Sequence, residues 1–389
     1  RSTSTKECKI GIDFGTTNSV AYYAINEDAP EIIRFQNRLY SVIDSQADNK
    51  EELRRNFFSI KEQPDDNSTS IRSIFHSFIG NYDGEFNKPL IRGNIYYLEG
   101  SQTTAEDDGN VDDLHDDMKW NEQTGAYNMA GFLMQFAMQC MAEVIVKGAT
   151  IIKWNYSYPS AFTMQQNNAM KQLWETQVLP CLHNISKLSV DEINSKTESV
   201  AMAEFFTKQM EAAIQRGIVC FDIGGGSTDI AIWQGSEKSG MRYQCSLRFA
   251  GRKILNNYLF NKKQNNNALL SLLRSNSDDY NGQLERVNNA DISTFNMEIE
   301  ALLKYYEQLI FNSLTIKSMN EAVSAILRDI TFALAGIFYY TGTIITYLKN
   351  NDEYDEKVDL PNCYVGGNAS KLLDWAGKGK YSDVVSNIL

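Results

Sequence analysis

Two aspartates in this chain stand at the ends of short apolar runs, and each leads into a glycine-bearing turn rich in hydroxyls. Asp222 follows Ile218-Val219-Cys220-Phe221 and precedes Ile223, Gly224, Gly225, Gly226, Ser227 and Thr228. Glycines take φ > 0 easily and carry no Cβ, so the backbone N–H groups of such a turn can converge on an anion. Ser227 and Thr228 add hydroxyls at the same place. Asp13 stands in the same relation to Gly15, Thr16, Thr17 and Asn18, within the stretch Lys9 to Ile25. The chemistry suggested is a carboxylate delivered to an anion-binding turn, twice.

The elements that must position these residues are strands. The segment after the second turn, Asp229-Ile230-Ala231-Ile232-Trp233, is apolar and β-prone without helical spacing, so the turn joins two strands. That argues against a dinucleotide-binding GxGxxG or a GxxxxGK[ST] loop, which both need a helix next and occur nowhere in the chain. Superimposing Asp13 on Asp222 and Gly15 on Gly224 brings strand over strand, with the second copy one residue longer around its turn. Copies some two hundred residues apart are no solenoid repeat. They suggest two related domains, each pointing an Asp-bearing hairpin at a shared cleft. A third glycine turn, Val365 to Asn368, follows the short strand Cys363-Tyr364-Val365.

Together these stretches resemble a known family. DFGTTNS is similar to the first phosphate motif, FDIGGGSTD to the second phosphate motif and CYVGGNAS to the adenosine motif of the actin and 70-kilodalton heat-shock chaperone ATPase superfamily. The resemblance implies an α/β fold of two actin-like (ribonuclease H-like) domains, each a mixed sheet with flanking helices, around a central nucleotide cleft. The first domain is expected over residues 8–215 with an insertion at about 40–120. The second is expected over 216–375 with a helical lid at about 256–320, leaving 376–389 as an incomplete return segment. The ligands implied are ATP or ADP and Mg²⁺, because two carboxylates aimed at one cleft repel and this cation keeps several waters while bridging phosphate oxygens.

By the same resemblance, Gly15, Thr16, Thr17, Asn18 and Gly224, Gly225, Gly226, Ser227, Thr228 grip phosphates, while Gly366, Gly367 and Asn368 let adenosine lie against backbone. Asp13, Asp222 and Asp229 support the metal. Glu198-Ser199-Val200-Ala201-Met202-Ala203 looks like the family's first connecting helix, with Ser199 in place of its proline, which puts Glu198 beside the metal and the attacking water. Asp222, Glu198 and Asp13 are therefore the expected catalytic set. Phe249-Ala250-Gly251-Arg252-Lys253-Ile254-Leu255 resembles actin's Ala-Gly-Arg-Asp-Leu, where Gly251 would let backbone approach the phosphates and Arg252 or Lys253 would add charge. Tyr158-Pro159-Ser160-Ala161-Phe162 and the Gln-rich stretch after it are similar to a chaperone segment. One departure stands out: Ile71 to Gly80 resembles a segment ending Lys-Arg-Leu-Ile-Gly, but His76 occupies the place of the lysine important for hydrolysis.

Composition sets the frame. A chain of 389 residues suits two domains, and 43% hydrophobic with 22% charged residues are globular values. A net charge of −12 disfavours a nucleic-acid-binding face. Six cysteines lack any CxxC pair, so no zinc or redox motif is present and a reducing, cytoplasmic setting is expected. Glu106 to Asp117 holds seven carboxylates among twelve residues and reads as a solvated loop. Tyr127 to Lys147 is apolar all round, hence a largely buried helix whose methionines serve packing. Ile330 to Leu348 is nineteen residues without a charge, but its threonines, tyrosines and glycines make it a buried domain helix rather than a membrane span. The function expected is the ATP-binding, slowly hydrolysing domain of a heat-shock chaperone-like protein, with a peptide-binding domain or protein partner outside this segment. Alternatives are an actin-like filament-forming ATPase, a small-molecule kinase of the same superfamily and a non-hydrolysing nucleotide sensor.

Overall fold

The computed structural model describes residues 5–35, 70–77, 93–95, 114–120, 125–188, 193–209, 217–234, 240–259, 321–354 and 361–378. Most of the expected insertion, nearly all of the expected lid and the end of the return segment lie outside the described residues. The chain forms two compact units, one of Arg1–Glu99, Thr104–Tyr158 and Phe162–Lys196, the other of Gly100–Thr103, Pro159–Ala161 and Thr197–Leu389.

In the first unit, β1 (Glu7–Phe14) alternates buried Cys8, Ile10, Ile12 and Phe14 with more open positions, the period-two pattern of a pleated strand. It pairs antiparallel with β2 (Asn18–Ile25) and parallel with β8 (Ile151–Tyr158), while β3 (Glu31–Ile32) and β4 (Ile71–Arg72) pair antiparallel with β2 and β9 (Ile193–Thr197) lies outside β8. A small second sheet joins β5 (Phe75–Ser77) antiparallel to β6 (Gly93–Ile95) and to β7 (Leu114–His115). The helix Gly125–Val146 covers the main sheet and is buried nearly all round, as its composition requires. Phe132 stacks on Phe136 and meets Phe14, and Met134 and Met141 fill the core. Asn128, Gln135 and Glu143 are the helix's buried polar side chains. The Gln135 amide donates to the Gly93 carbonyl at 2.6 Å and its carbonyl accepts from Ile95 N–H at 2.9 Å, so both ends of this buried group are satisfied.

After β8 the Gln-rich stretch forms the helix Met164–Leu173, started by a capping box between Thr163 and Gln166. The path continues through a π-helical turn, Trp174–Val178, into the helix Leu179–Ser186. Pro180 has no N–H for the carbonyl four residues back and its ring crowds that carbonyl, so the wider turn lets the helix pass it.

The second unit repeats the plan. β10 (Ile218–Ile223) pairs antiparallel with β11 (Thr228–Gln234) and parallel with β13 (Asn362–Gly366), and β12 (Gly240–Leu247) runs antiparallel outside β11. The orders β3-β2-β1-β8 and β12-β11-β10-β13 are therefore the same strand for strand. In each copy a long helix precedes the parallel strand: Gly125–Val146 before β8, Glu321–Asn350 before β13. The duplication inferred from two hairpins thus extends to whole sheets.

The helix Glu321–Asn350 corrects one expectation. It lays Ile326, Leu327, Ile330, Leu334, Ile337 and Leu348 on the sheet core, with Phe338 edge-on to Phe221 at 4.9 Å, but it is not buried all round. Phe332 and Tyr339 on its other face are 71% and 77% exposed. Thr331 and Thr341 are buried because their hydroxyls donate to Leu327 and Ile337 carbonyls one turn earlier. By length and composition this stretch and Asn128–Val146 are both apolar enough to cross a membrane; within the fold the first stretch is 39% buried and the second 78%.

Candidate functional site

Asp13 is the penultimate residue of β1 and lies between Val20 on β2 and Ser157 on β8. Ser157 Oγ donates to its Oδ1 at a long 3.4 Å. Burial pushes the Asp13 carboxyl above its ordinary range, while the Lys119 charge and the Ser157 hydroxyl pull it back. The turn that follows is tight enough that a Cβ on Gly15 would collide with the Asn18 carbonyl. Ser73 clasps this turn: its N–H donates to the Thr17 carbonyl at 2.9 Å, and its hydroxyl donates to the Gly15 carbonyl at 2.7 Å. On the side-chain side, Trp120 Nε1 donates to Thr16 Oγ1 at 3.1 Å.

In the second unit Asp222 sits opposite Asp229 on β11 and beside Gly366 on β13. The turn closes through Gly224 N–H to the Ser227 carbonyl at 2.9 Å. The helix Gly251–Leu259 begins against the back of this turn, its Gly251 and Arg252 N–H groups donating to the Gly224 and Gly225 carbonyls at 3.0 and 2.9 Å. Both N–H groups, including that of Gly251 where backbone was expected to approach phosphate, are engaged in holding the turn. Gly251 is needed there because a Cβ would press on Ala369 Cβ at 2.9 Å. The Thr228 hydroxyl, expected on phosphate, donates to the Phe249 carbonyl at 2.7 Å and is wholly buried.

Asp229 is the most enclosed of the three aspartates. Its Oδ1 accepts the Ser160 N–H at 3.3 Å and a short hydrogen bond from Ser246 Oγ, which itself accepts the Ala161 N–H at 3.0 Å. Ser160 Oγ meets Ser199 Oγ at 2.7 Å, and the Ser199 and Thr197 hydroxyls both reach Gln244 Oε1. This network fastens the start of the helix Glu198–Gln209, on which Glu198 is buried. Gly367, at φ +85°, packs against Asp222, and Asn368 opens a 3₁₀ turn through Ser370.

The expected site residues thus form two groups. Asp13, Gly15, Thr16, Thr17 and Asn18 meet at the end of β1. Asp222, Gly224 to Thr228, Gly251, Arg252, Gly366, Gly367 and Asn368 meet at the end of β10, with Asp229 joined through Ser160 to Ser199, the residue after Glu198. His76 lies on β5, paired with Asn94 and Leu114. Among the described residues no cluster of three or more His, Cys, Asp or Glu forms a metal cage. Isolated carboxylates beside backbone turns suit a hard cation whose shell is completed by phosphate oxygens and water, as Mg²⁺ requires.

Sequence reasoning missed Ser73, Lys119 and Trp120. Ser73 carries no recognisable signal. Met118-Lys119-Trp120 ends an acidic run, and its aromatic residue beside a lone cation was the available hint.

No family model matches the chain, and no curated protein matches it by sequence. Among solved structures it is similar to a MamK double helical filament, with a TM-score of 0.50 at 11% identity, covering 98% of this chain and 90% of that one. A non-polymerisable quadruple mutant of pCBH ParM has a TM-score of 0.49 at 10% identity, covering 95% and 92%. The MamK match, with the duplicated sheets, gives this chain the two-domain actin-like fold.

Proposed function

We propose that the chain is an actin-like ATP-binding protein that hydrolyses ATP slowly and whose nucleotide state controls association with further copies of itself. The observation that carries the nucleotide is the pair of equivalent Asp-to-glycine-turn hairpins, each at the end of the central strand of its sheet and each clasped from behind. Self-association is supported by the likeness to a filament structure over nearly the whole chain rather than over one domain. It replaces the chaperone-like reading as the first choice. The chaperone-like reading keeps one support, the Tyr158 to Phe162 segment with its capped Gln-rich helix.

In this reading Mg²⁺ bound with the nucleotide screens the phosphates, and the protein's own groups position and polarise. Asp13 in the first hairpin and Asp222 in the second would each offer a carboxylate to the cation's water shell. Gly15 to Asn18 and Gly224 to Ser227 offer phosphate contacts, and Gly366 to Asn368 offer a backbone surface for adenosine. Asp222 with Glu198 orients a water for attack on the γ-phosphorus; the new P–O bond forms as the bond to the β-phosphate oxygen breaks, and the water proton leaves toward the carboxylate. Asp229 serves as the anchor that holds Ser160 and Ser246. Six cysteines held as thiols rather than disulfides fit a cytoplasmic setting.

Sedimentation of the full chain with Mg²⁺ and ATP, ADP or no nucleotide separates the readings. ATP-dependent pelleting is expected. Hydrolysis by a species that stays monomeric at all concentrations would favour the chaperone-like reading, and tight binding without turnover a nucleotide sensor.

A further inference from the structure

We propose that the open face of the helix Glu321–Asn350 is a docking surface for a second copy of this chain, two such faces packing across a two-fold axis. The pairing goes beyond the nucleotide-controlled association above. The face lies on the side of the helix away from the sheet core, so pairing is expected without nucleotide.

A helix on a globular surface ordinarily turns charged side chains outward. This one does not. Ile330 to Leu348 carries no charge, and while Ile330, Leu334 and Ile337 pack on the core, Phe332, Tyr339 and Tyr347 are 71%, 77% and 64% exposed. Steps of seven and eight residues keep the three rings on one side over about 22 Å. Thr343 and Thr346, between the last two rings, donate their hydroxyls to the Tyr340 and Gly342 carbonyls at 2.6 and 2.9 Å, so these donors are spent on the helix itself. The glycines point the same way. Glycine weakens a helix interior more than any residue but proline, and its usual return is close approach of another group. Among the described residues outside the helix itself, nothing lies within 4 Å of the place a Cβ on Gly336 or Gly342 would take. The fold thus leaves two gaps beside the exposed rings.

Charge selects the occupant. At a net charge of −12, copies repel over most of their surface and meet most readily where charge is absent. The cations that bracket the face are engaged within the chain: Arg328 pairs with Asp329 at 3.2 Å, and Lys349 Nζ lies 5.8 Å from the centre of the Tyr354 ring. No Lys or Arg stands between them for an anionic lipid surface, which an acidic chain repels. A two-fold contact also needs a patch that complements itself. With the helices antiparallel, Tyr339 would meet the partner's Gly336 and Phe332 the partner's Thr343, large against small at each place. A helix face about 22 Å long and about 10 Å across falls short of the roughly 800 Å² per partner of a stable complex, so a reversible dimer of micromolar or weaker affinity is expected.

Sedimentation velocity of the full chain without nucleotide, over a range of concentrations, follows the dimer. Urea denaturation at low concentration, where monomer prevails, follows folding. Wild type is expected to shift reversibly from monomer to dimer as concentration rises. Tyr339→Glu and Phe332→Glu, at exposed positions, should weaken the dimer at least about tenfold and leave the urea midpoint nearly unchanged. Gly336→Ala should raise the urea midpoint, since open space admits the methyl, yet weaken the dimer about fivefold or more. Wild type that stays monomeric at every concentration would overturn the proposal, and binding of that monomer to phosphatidylcholine–phosphatidylserine vesicles would give the face to a membrane instead. A dimer that both glutamate variants form as tightly as wild type would also overturn it. ATP binding, read by calorimetry on the same sample, stands or falls separately.

Discussion

Gly367 is seated directly against Asp222: the Asp222 Oδ1 and the Ile223 carbonyl fill the space that a Cβ on Gly367 would occupy. The turn after β13 and the carboxylate at the end of β10 are thereby built as one surface, and the left-handed φ of +85° reinforces the need for glycine. Gly367→Ala should destabilise the chain by roughly 1–3 kcal/mol from backbone strain, with steric overlap added. Urea denaturation measures this, and an unchanged midpoint would show that the turn relaxes freely.

Asp222→Asn keeps the shape of the second hairpin and removes its charge. Turnover should fall by at least about 100-fold, while ATP affinity stays within about threefold, because orientation of water is lost and the turn is not. Equal single-turnover rates in variant and wild type would remove Asp222 from the chemistry.

Asp13 yields a pH prediction. Its carboxyl is raised chiefly by burial, so folding favours the protonated form relative to the unfolded chain. That stabilisation is complete below the ordinary carboxylate range and is lost as pH rises through the raised value. Asp13→Asn removes the ionisation and should leave nucleotide-free stability less dependent on pH across that window, while weakening Mg·ATP binding. Thermal melts at several pH values test it; parallel pH profiles for variant and wild type would contradict it.

Ser246 holds Asp229 and Ala161 at once. Ser246→Ala leaves a buried carboxylate short of one donor and an N–H short of its acceptor, a loss of about 1–3 kcal/mol. Because the network continues through Ser160 to Ser199 beside Glu198, turnover should drop as well. Chemical denaturation and turnover on one sample read both effects.

The hairpins were legible because each compresses a strand end, a carboxylate and a glycine turn into a dozen consecutive residues. The repetition of whole sheets was not, since β8 and β13 join their partners from 144 residues away for Asp13 and Ser157 and a similar distance for Asp222 and Gly366. Gly251 was expected to bring backbone to phosphate; in the fold it lies against Ala369 and the second turn, partners far away in sequence. Thr228 reads as a phosphate ligand in one dimension and becomes a buried donor once Phe249 folds back on it. Lys119 and Trp120 were hidden by the acidic run before them, where charge density dominates any local reading. The open face of the Glu321–Asn350 helix escaped notice because tyrosine and phenylalanine look alike in a charge-free stretch whether they face core or solvent.

Calorimetric titration of ATP into the full chain, with Mg²⁺ and then with the metal chelated, tests most directly whether the chain binds ATP with Mg²⁺. The expected result is saturable binding at one site per chain that weakens by at least about tenfold without the metal, because the phosphate charge is then unscreened. Absence of binding heat under both conditions, with the chain folded, would contradict it.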